Sequence, residues 1–279
     1  MTLADDPSVP GAATGPPLTR HERSAFRSVA IPTEHGGWGL TIEPVLLGLL
    51  VRPSVAGALI GAATMLAFLS RTPVKIVLVD HHRGRRLHRS RVALVVAAVE
   101  VAALAALVAV ATGRAGWSWW APVVVAAPMV VVELWYDARS RSRRLVPELL
   151  GAVGIAAAAA SIAIAGGANR ELAAGLWLVL GARAIGSIPF VRAQIVHLRR
   201  GRSATASVAW WQAGSIAVGA LAVAVDGRLA VGFGAIVAMA AFQLVSARHR
   251  PTSAKVLGFT QMGLGFGLVI ATAVGVAIA

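Results

Sequence analysis

The sequence contains no cysteine, which excludes disulfide bonds, thiolate nucleophiles and cysteine-based metal sites. Charged residues are also scarce: 14% of the 279 residues are Asp, Glu, Lys or Arg, while 57% are hydrophobic. A soluble domain of this length needs a larger charged surface to face water. The composition therefore excludes an ordinary soluble protein and indicates a protein whose solvent is the lipid bilayer.

Nine apolar segments approach the roughly 20 residues that are needed to cross a 30 Å hydrocarbon core. They predict an all-α fold, a polytopic transmembrane helical bundle with about nine spanning helices, at residues 36–51, 54–70, 92–112, 118–136, 147–166, 171–191, 204–225, 229–247 and 257–278. The first two segments are short and are separated only by Arg52 and Pro53, so a re-entrant pair is the alternative to two full crossings.

The N-terminal segment differs from the rest of the chain. Its first 18 residues, MTLADDPSVPGAATGPPL, are rich in Pro, Gly and small side chains, a composition that does not bury enough apolar surface to fold. We therefore predict that residues 1–27 form a disordered cytoplasmic tail and that residues 28–279 form the transmembrane domain.

The chain is strongly basic, with a formal net charge of +14, which in a soluble protein would suggest nucleic acid as a partner. If the N-terminus lies inside, 21 of the 26 Lys and Arg residues fall in inside segments, four fall in outside loops and Arg183 falls within a span. The positive-inside rule explains this distribution. It predicts a multi-pass protein of the cell (plasma) membrane with a cytoplasmic N-terminus, an outside C-terminus, the lipid bilayer as partner and no nucleic-acid partner.

Polar side chains within apolar spans are expensive, so each is a candidate for a site. The first cluster, at residues 31–44, contains Glu34, His35, Trp38 and Glu43. One interpretation is a polar site that faces the bundle interior, in which His35 titrates near neutral pH. The other is a capped helix start, with Glu34 favoured by the helix dipole. Glu43 lies too deep for capping to explain it.

The second cluster, at residues 70–91, follows the second span. Arg71 and Lys75 are one helical turn apart and can present two cations to one anion. Asp80 and the two histidines after it could bind a divalent ion, but a lone Asp makes a poor magnesium site, and we assign no metal ligand. The alternative is a solvated basic loop that contacts anionic lipid head groups.

The third cluster, at residues 181–205, places Arg183 inside an apolar span, with Ser187 and Gln194 on the same helical face. An intramembrane Arg normally has an acidic partner or an anionic ligand, so either a helix-packing ion pair or a ligand contact would explain it. Arg192 follows nearer the membrane edge. Three glutamates in apolar spans are candidate partners for Arg183: Glu43, Glu100 and Glu133.

Parts of the sequence resemble a known family. The segment IPTEHGGWGLTIEPVLLGLL is similar to the P-x-x-H-G-x-W opening of the YwiC-like family of bacterial membrane proteins, and SRTPVKI and RAIGSIPFVRA resemble later blocks of that family. The resemblance implies an integral membrane protein and supplies no reaction.

A more distant resemblance is to the UbiA-type intramembrane prenyltransferases, which have nine helices, an inside N-terminus and catalytic segments in the cytoplasmic loops after helices two and six. The second and third clusters fall in the corresponding loops. The UbiA-like reaction uses Asp-rich motifs that hold two Mg²⁺ ions, whereas the first loop here retains only Asp80 and the second has no acid. No cofactor is predicted, with Mg²⁺ expected only if UbiA-like transferase chemistry survives, and the sequence leaves open whether the chain is an enzyme.

These observations lead to one functional hypothesis with two alternatives. The chain is expected to bind an anionic or isoprenoid-like lipid in a cavity open to the cytoplasmic side. The alternatives are a small-solute transporter and a non-catalytic assembly partner of a membrane complex. The residues predicted to bind the ligand are Glu34, His35, Trp38, Glu43, Arg71, Lys75, Asp80, Arg183 and Arg192.

Overall fold

The computed structural model describes residues 35–82, 84, 88–139, 144–201, 205–249, 251 and 253–279; of residues 35, 36, 88 and 89 it describes the backbone. The predicted tail at residues 1–27 lies outside these ranges.

The described residues form nine α-helices and one 3₁₀ turn, with no β-strand among them, which confirms the predicted all-α bundle. The 3₁₀ turn, Gly227–Leu229, precedes α8. The helices are α1 (His35–Val51), α2 (Val55–His82), α3 (His88–Ala115), α4 (Trp120–Ala138), α5 (Leu145–Ala165), α6 (Arg170–Arg200), α7 (Thr205–Val225), α8 (Ala230–Ser246) and α9 (Ala254–Ile278).

Eight of the described helices are long and apolar enough to cross a membrane, α8 being counted together with the 3₁₀ turn before it as Gly227–Ser246, and α1 is a shorter apolar helix. With 17 residues, α1 is about 25 Å long at the 1.5 Å rise of an α-helix. Its length alone falls short of the hydrocarbon thickness of about 30 Å. The chain is therefore a multi-pass membrane protein, and its described part contains eight helices of spanning length and one shorter helix.

Two helices extend well beyond the predicted spans. Helix α2 continues from the predicted end at residue 70 to His82, and α6 continues from residue 191 to Arg200. The segments that were expected to be loops are therefore largely helical, which corrects the prediction. The reason is that hydropathy marks where a helix leaves the hydrocarbon, whereas the helix ends only where the backbone turns. For α6 that point is Gly201, whose positive φ of 67° suits glycine.

Helix α6 lies at the centre of the bundle, where it packs against α1, α5, α7, α8 and α9. Helix α5 lies between α6 and the group formed by α2 and α4, and α3 packs mainly on α2. Small side chains let these helix backbones approach closely, as is usual where lipid surrounds the bundle. Alanines 156, 159, 160 and 163 of α5 thus pack in one core with the leucines at 172, 176 and 180 of α6.

Contacts between side chains show which helix ends lie together. Lys75 of α2 contacts Asp137 near the end of α4. Gln194 of α6 donates to the carbonyl of Ser246, which ends α8. We call this end of the bundle, which contains the C-terminal parts of α2, α4, α6 and α8 and the start of α5, the basic end. It is the end that the charge distribution predicts to be cytoplasmic.

Candidate functional site

A buried ion pair lies in the centre of the bundle. Nε of Arg183 lies 2.7 Å from Oε2 of Glu43, and Nη2 of the same guanidinium donates to Oε1 at 2.8 Å. Nη2 also donates to the backbone carbonyl of Gln261, at 2.9 Å. The side chains of Arg183 and Glu43 are only 4% and 1% exposed. This core pair joins α6, α1 and α9, and it accounts for the arginine that the sequence placed within a span.

The core pair depends on a close approach of α9. A β-carbon at Gly265 would overlap the carboxylate of Glu43 and lie 2.7 Å from Nη2 of Arg183. Because no larger residue leaves that space open, glycine is the residue that lets α9 pack directly over the pair.

Next to the core pair, buried amide side chains connect four helices. Gln212 of α7 donates to Oε1 of Gln243 of α8 at 2.7 Å. Gln243 in turn donates to Oε1 of Gln261 of α9 and to Oγ of Ser187 of α6, both at 3.0 Å. We call Ser187, Gln212, Gln243 and Gln261 the amide cluster. Gln261 belongs to both groups, since its carbonyl accepts from Arg183.

A second group of charges lies at the basic end. Arg71 and Lys75, one turn apart on α2, converge on α4. Nε of Arg71 donates to Oδ2 of Asp137 at 3.1 Å, and Nζ of Lys75 donates to Oδ1 at 3.2 Å. Nη2 of Arg71 also lies 2.8 Å from Oε1 of Glu133. We call Arg71, Lys75, Glu133 and Asp137 the charged cluster.

The charged cluster adjoins a further ion pair through α5. Nη1 of Arg192 on α6 donates to Oε2 of Glu148, in the first turn of α5, at 2.8 Å. Gly151 follows Glu148 by three residues, and a β-carbon there would lie 2.5 Å from the carboxylate of Glu133. Residues three apart lie on neighbouring parts of a helix surface. The charged cluster and the Arg192–Glu148 pair therefore contact neighbouring parts of the same surface, at the start of α5.

The remaining predicted site residues have other surroundings. Asp80 is buried and accepts a hydrogen bond of 2.6 Å from Oγ of Ser90, which joins α2 to α3. Trp38 packs edge-on against the ring of Phe68, with 5.2 Å between the ring centroids. Glu34 lies outside the described residues, and so does the side chain of His35. In the part of the chain that the structure describes, no three His, Asp or Glu side chains are close enough to share a metal ion.

The predicted residues are thus divided among several contacts. Glu43 and Arg183 are paired in the core, Arg71 and Lys75 contact the same carboxylate at the basic end, and Arg192 is paired with Glu148 at the start of α5. Trp38 and Asp80 contact neither group in the hydrogen bonds and ring contacts described above.

Several important residues were not selected from the sequence. Asp137 lies in a basic segment and looks like a solvated residue, yet it is the carboxylate that Arg71 and Lys75 share. Each glutamine of the amide cluster stands in an apolar helix. The rule that polar residues inside membrane spans are functional candidates would have found those glutamines.

Comparison with known families finds a match for the first half of the bundle. Residues 31–165 match the family model described as YwiC-like protein. The match confirms the predicted resemblance over those residues, which make up just under half of the chain. The matched residues include α1 to α5, and hence the charged cluster, Glu43 and Glu148, whereas Arg183 and Arg192 lie beyond them. In two further comparisons, no curated protein and no solved structure matches the chain, so the UbiA-like resemblance stays a prediction.

Proposed function

We propose that this membrane protein binds the anionic head group of an amphiphile, isoprenoid-like or another lipid, at the basic end of the bundle, and that this end faces the cytoplasm at the plasma membrane. One observation supports the proposal above the others. Arg71, Lys75 and Arg192 retain exposed side-chain fractions of 31%, 32% and 41%, while the core arginine is 4% exposed. The proposed contacts are therefore Arg71, Lys75 and Arg192, and the core pair is assigned to packing.

The chemistry of these cations allows each of them to bind a second anion beside its carboxylate partner. A guanidinium carries five N–H donors and an ammonium carries three, so a cation that contacts a carboxylate and is still partly exposed can also donate to a phosphate. Arg71 and Lys75 come from successive turns of one helix and can contact the same group. Arg192 approaches the start of α5 from α6. Their carboxylate partners would hold the three cations in position before the ligand arrives.

The surface beside the charged cluster suits an apolar tail. Val131, Leu134 and Trp135 of α4 are exposed next to Glu133 and face outward from the bundle. An amphiphile whose head group contacts Arg71 and Lys75 could lay its hydrocarbon chain along this surface of α4. This arrangement buries the tail in the hydrocarbon layer and leaves the head group at the interface.

Binding of farnesyl diphosphate to the detergent-purified protein tests the proposal, with neutral farnesol as the comparison. Native mass spectrometry should detect a diphosphate adduct that Lys75→Gln/Arg192→Gln reduces at least about tenfold, because each interfacial cation contributes about 1 kcal/mol. Arg71 remains in this variant to hold Asp137 and Glu133. The control is Arg52→Gln/Arg114→Gln, which removes two exposed cations at the opposite end. Equal adducts in both variants, or equal binding of farnesol, would contradict the proposal.

A non-catalytic packing role is the second candidate, because every one of these cations, including the core arginine, contacts a carboxylate on a helix other than its own. The four cations are Arg71, Lys75, Arg183 and Arg192. The variant Asp137→Asn separates the two candidates. If the cations bind a ligand, this change leaves the adduct unchanged or increases it, since Arg71 and Lys75 lose a competing anion. If the contacts only join α2 to α4, the change lowers the thermal stability and no adduct is seen in either protein.

A further inference from the structure

At the end of the bundle opposite the basic end, a groove runs between α4 and α6. Both helices pack on α5, and a cavity of about 210 Å³ lies between them. Its walls are almost entirely apolar. They include Pro122 and Val125 of α4, Ala160 and Ile164 of α5, and Ala173 and Trp177 of α6.

Small side chains create the groove, and a fixed aromatic ring forms part of its wall. Ala160 and Ala173 are buried alanines that leave space where larger residues would fill it. The indole N–H of Trp177 donates to the carbonyl of Val153 at 2.7 Å, which holds the ring against α5. The groove is therefore a formed feature of the bundle rather than a gap between loose side chains.

A cation that has no partner among the described residues lines the groove. Arg170, the first residue of α6, lines the cavity together with Ser118, from the turn before α4. Within the described ranges, the exposed Arg170 side chain makes no ion pair or hydrogen bond. Trp117, beside Ser118, is 75% exposed, as expected of a tryptophan at head-group level.

The neighbouring Arg228 differs from Arg170 in its contacts. Its guanidinium donates to Asp226 at 2.6 Å, and this hydrogen bond lowers the pKa of the Asp226 carboxyl. Arg228 also donates to Asn169. Of these two arginines at the same end, Arg228 has partners among the described residues and Arg170 has none there, so Arg170 is the one that is available to an external anion.

We propose that this groove binds one acyl chain of an anionic phospholipid, whose phosphate contacts the guanidinium of Arg170 and the hydroxyl of Ser118. The volume of the cavity fits a segment of one acyl chain, because it is below the roughly 300–1,000 Å³ of pockets that enclose a whole small molecule. A net anionic lipid suits the site better than a zwitterionic one, because the ammonium group of a zwitterionic lipid is repelled by Arg170 and offsets the attraction of the phosphate. This site is separate from the proposed function, since Arg71, Lys75 and Arg192 lie at the other end of the bundle.

Photo-crosslinking in lipid nanodiscs tests this proposal. The probe is a phosphatidylglycerol with a photoactivatable acyl chain, and the comparison is the phosphatidylcholine with the same chain. Peptide mapping should place the phosphatidylglycerol adduct on residues 118–125 and 170–177. Arg170→Gln should reduce it about fivefold, the effect of one interfacial cation, and Arg170→Lys should restore most of it. Ala174→Phe, an exposed groove position, should abolish it.

The control for a general effect of a large side chain is Ala106→Phe, on the lipid-exposed surface of α3. It should leave the adduct unchanged. Equal labelling by the two lipids, labelling that ignores Ala174→Phe, or labelling spread evenly over exposed helices would overturn the proposal. A loss of diphosphate binding at the basic end would not overturn this proposal, because the peptides that are mapped here come from the opposite end.

Discussion

The Glu43–Arg183 pair illustrates how much one residue can affect a bundle of this kind. Both side chains are nearly completely buried, so each charge has lost its hydration and is compensated mainly by the other. Removing one partner leaves an uncompensated buried charge, which is more damaging than the absence of both. The pair therefore stabilises the fold only as a unit.

Glu43→Gln should destabilise the protein by about 3–5 kcal/mol, because Arg183 remains charged and keeps only neutral partners. The double variant Glu43→Leu/Arg183→Met removes both charges and should recover most of the loss. Thermal unfolding in detergent, followed by loss of the monodisperse peak, measures the effect as a shift in apparent Tm. A double variant that is no more stable than Glu43→Gln would show that the pair has a role beyond charge compensation.

Gly265 provides a second test at the same place. A methyl group at this position meets the carboxylate of Glu43 and the guanidinium of Arg183, so Gly265→Ala should lower the apparent Tm. Gly263 and Gly267 lie on the same helix, and a β-carbon at either meets nothing within 4 Å. Alanine at those positions should stabilise the helix by about 0.5–1 kcal/mol. If Gly263→Ala, Gly265→Ala and Gly267→Ala all shifted the apparent Tm in the same direction, the contact between Gly265 and the core pair would be contradicted.

The sequence predicted that Arg183 needs an acid but not which acid. Glu43, Glu100 and Glu133 all lie in apolar spans, and the choice depends on the order of the helices around the bundle. That order follows from long-range packing of small residues, such as Gly265 over the pair, and no local pattern encodes it. The same reason explains why Asp137 was not recognised as the partner of Arg71.

At the scale of helices, the amide cluster holds the second half of the bundle together. Its side chains come from α6, α7, α8 and α9, and Gln243 contacts the other three members. In lipid, apolar side chains do not drive helices together, so interhelical hydrogen bonds and close packing supply much of the association. Substitution of Gln243 is therefore expected to destabilise the bundle more than substitution of any other member of the amide cluster.

Gln243→Leu should destabilise the protein by about 1–3 kcal/mol, since the change leaves the polar groups of its three partners buried and unsatisfied. Gln212→Leu removes fewer contacts and should have a smaller effect. The matched control is Phe242→Leu, an exposed neighbour on α8, which should be close to neutral. The three apparent Tm values in detergent give the comparison. An equal effect of Gln243→Leu and Phe242→Leu would show that the cluster adds no stability.

The sequence predicted the existence of the helices well and their ends less well. Each of the nine apolar segments corresponds to a helix, because a bilayer requires internally hydrogen-bonded backbone over about 20 residues. The extensions of α2 to His82 and of α6 to Arg200 lie beyond the apolar windows. Hydropathy does not report on them, although the glycine at position 201 marks where α6 stops.

At the scale of the molecule, the distribution of basic residues predicts how the bundle is oriented in the membrane. Lys75, Arg192 and Gln194 lie on the side that contains the ends of α2, α4, α6 and α8. Most Lys and Arg residues belong to the predicted cytoplasmic segments at this same side, and the positive-inside rule orients the chain by that excess. The orientation decides whether the proposed lipid site draws ligand from the cytoplasmic leaflet.

The absence of cysteine makes this orientation directly measurable, because a single introduced cysteine is the only thiol in the chain. Arg200→Cys and His249→Cys place the thiol at exposed positions of the basic end, and Arg114→Cys and Trp117→Cys place it at exposed positions of the opposite end. A membrane-impermeant maleimide added to intact cells should label the second pair only. After the membrane is permeabilised, all four should react. Labelling of Arg200→Cys or His249→Cys in intact cells would place the basic end outside and would contradict a cytoplasmic ligand site at Arg71, Lys75 and Arg192.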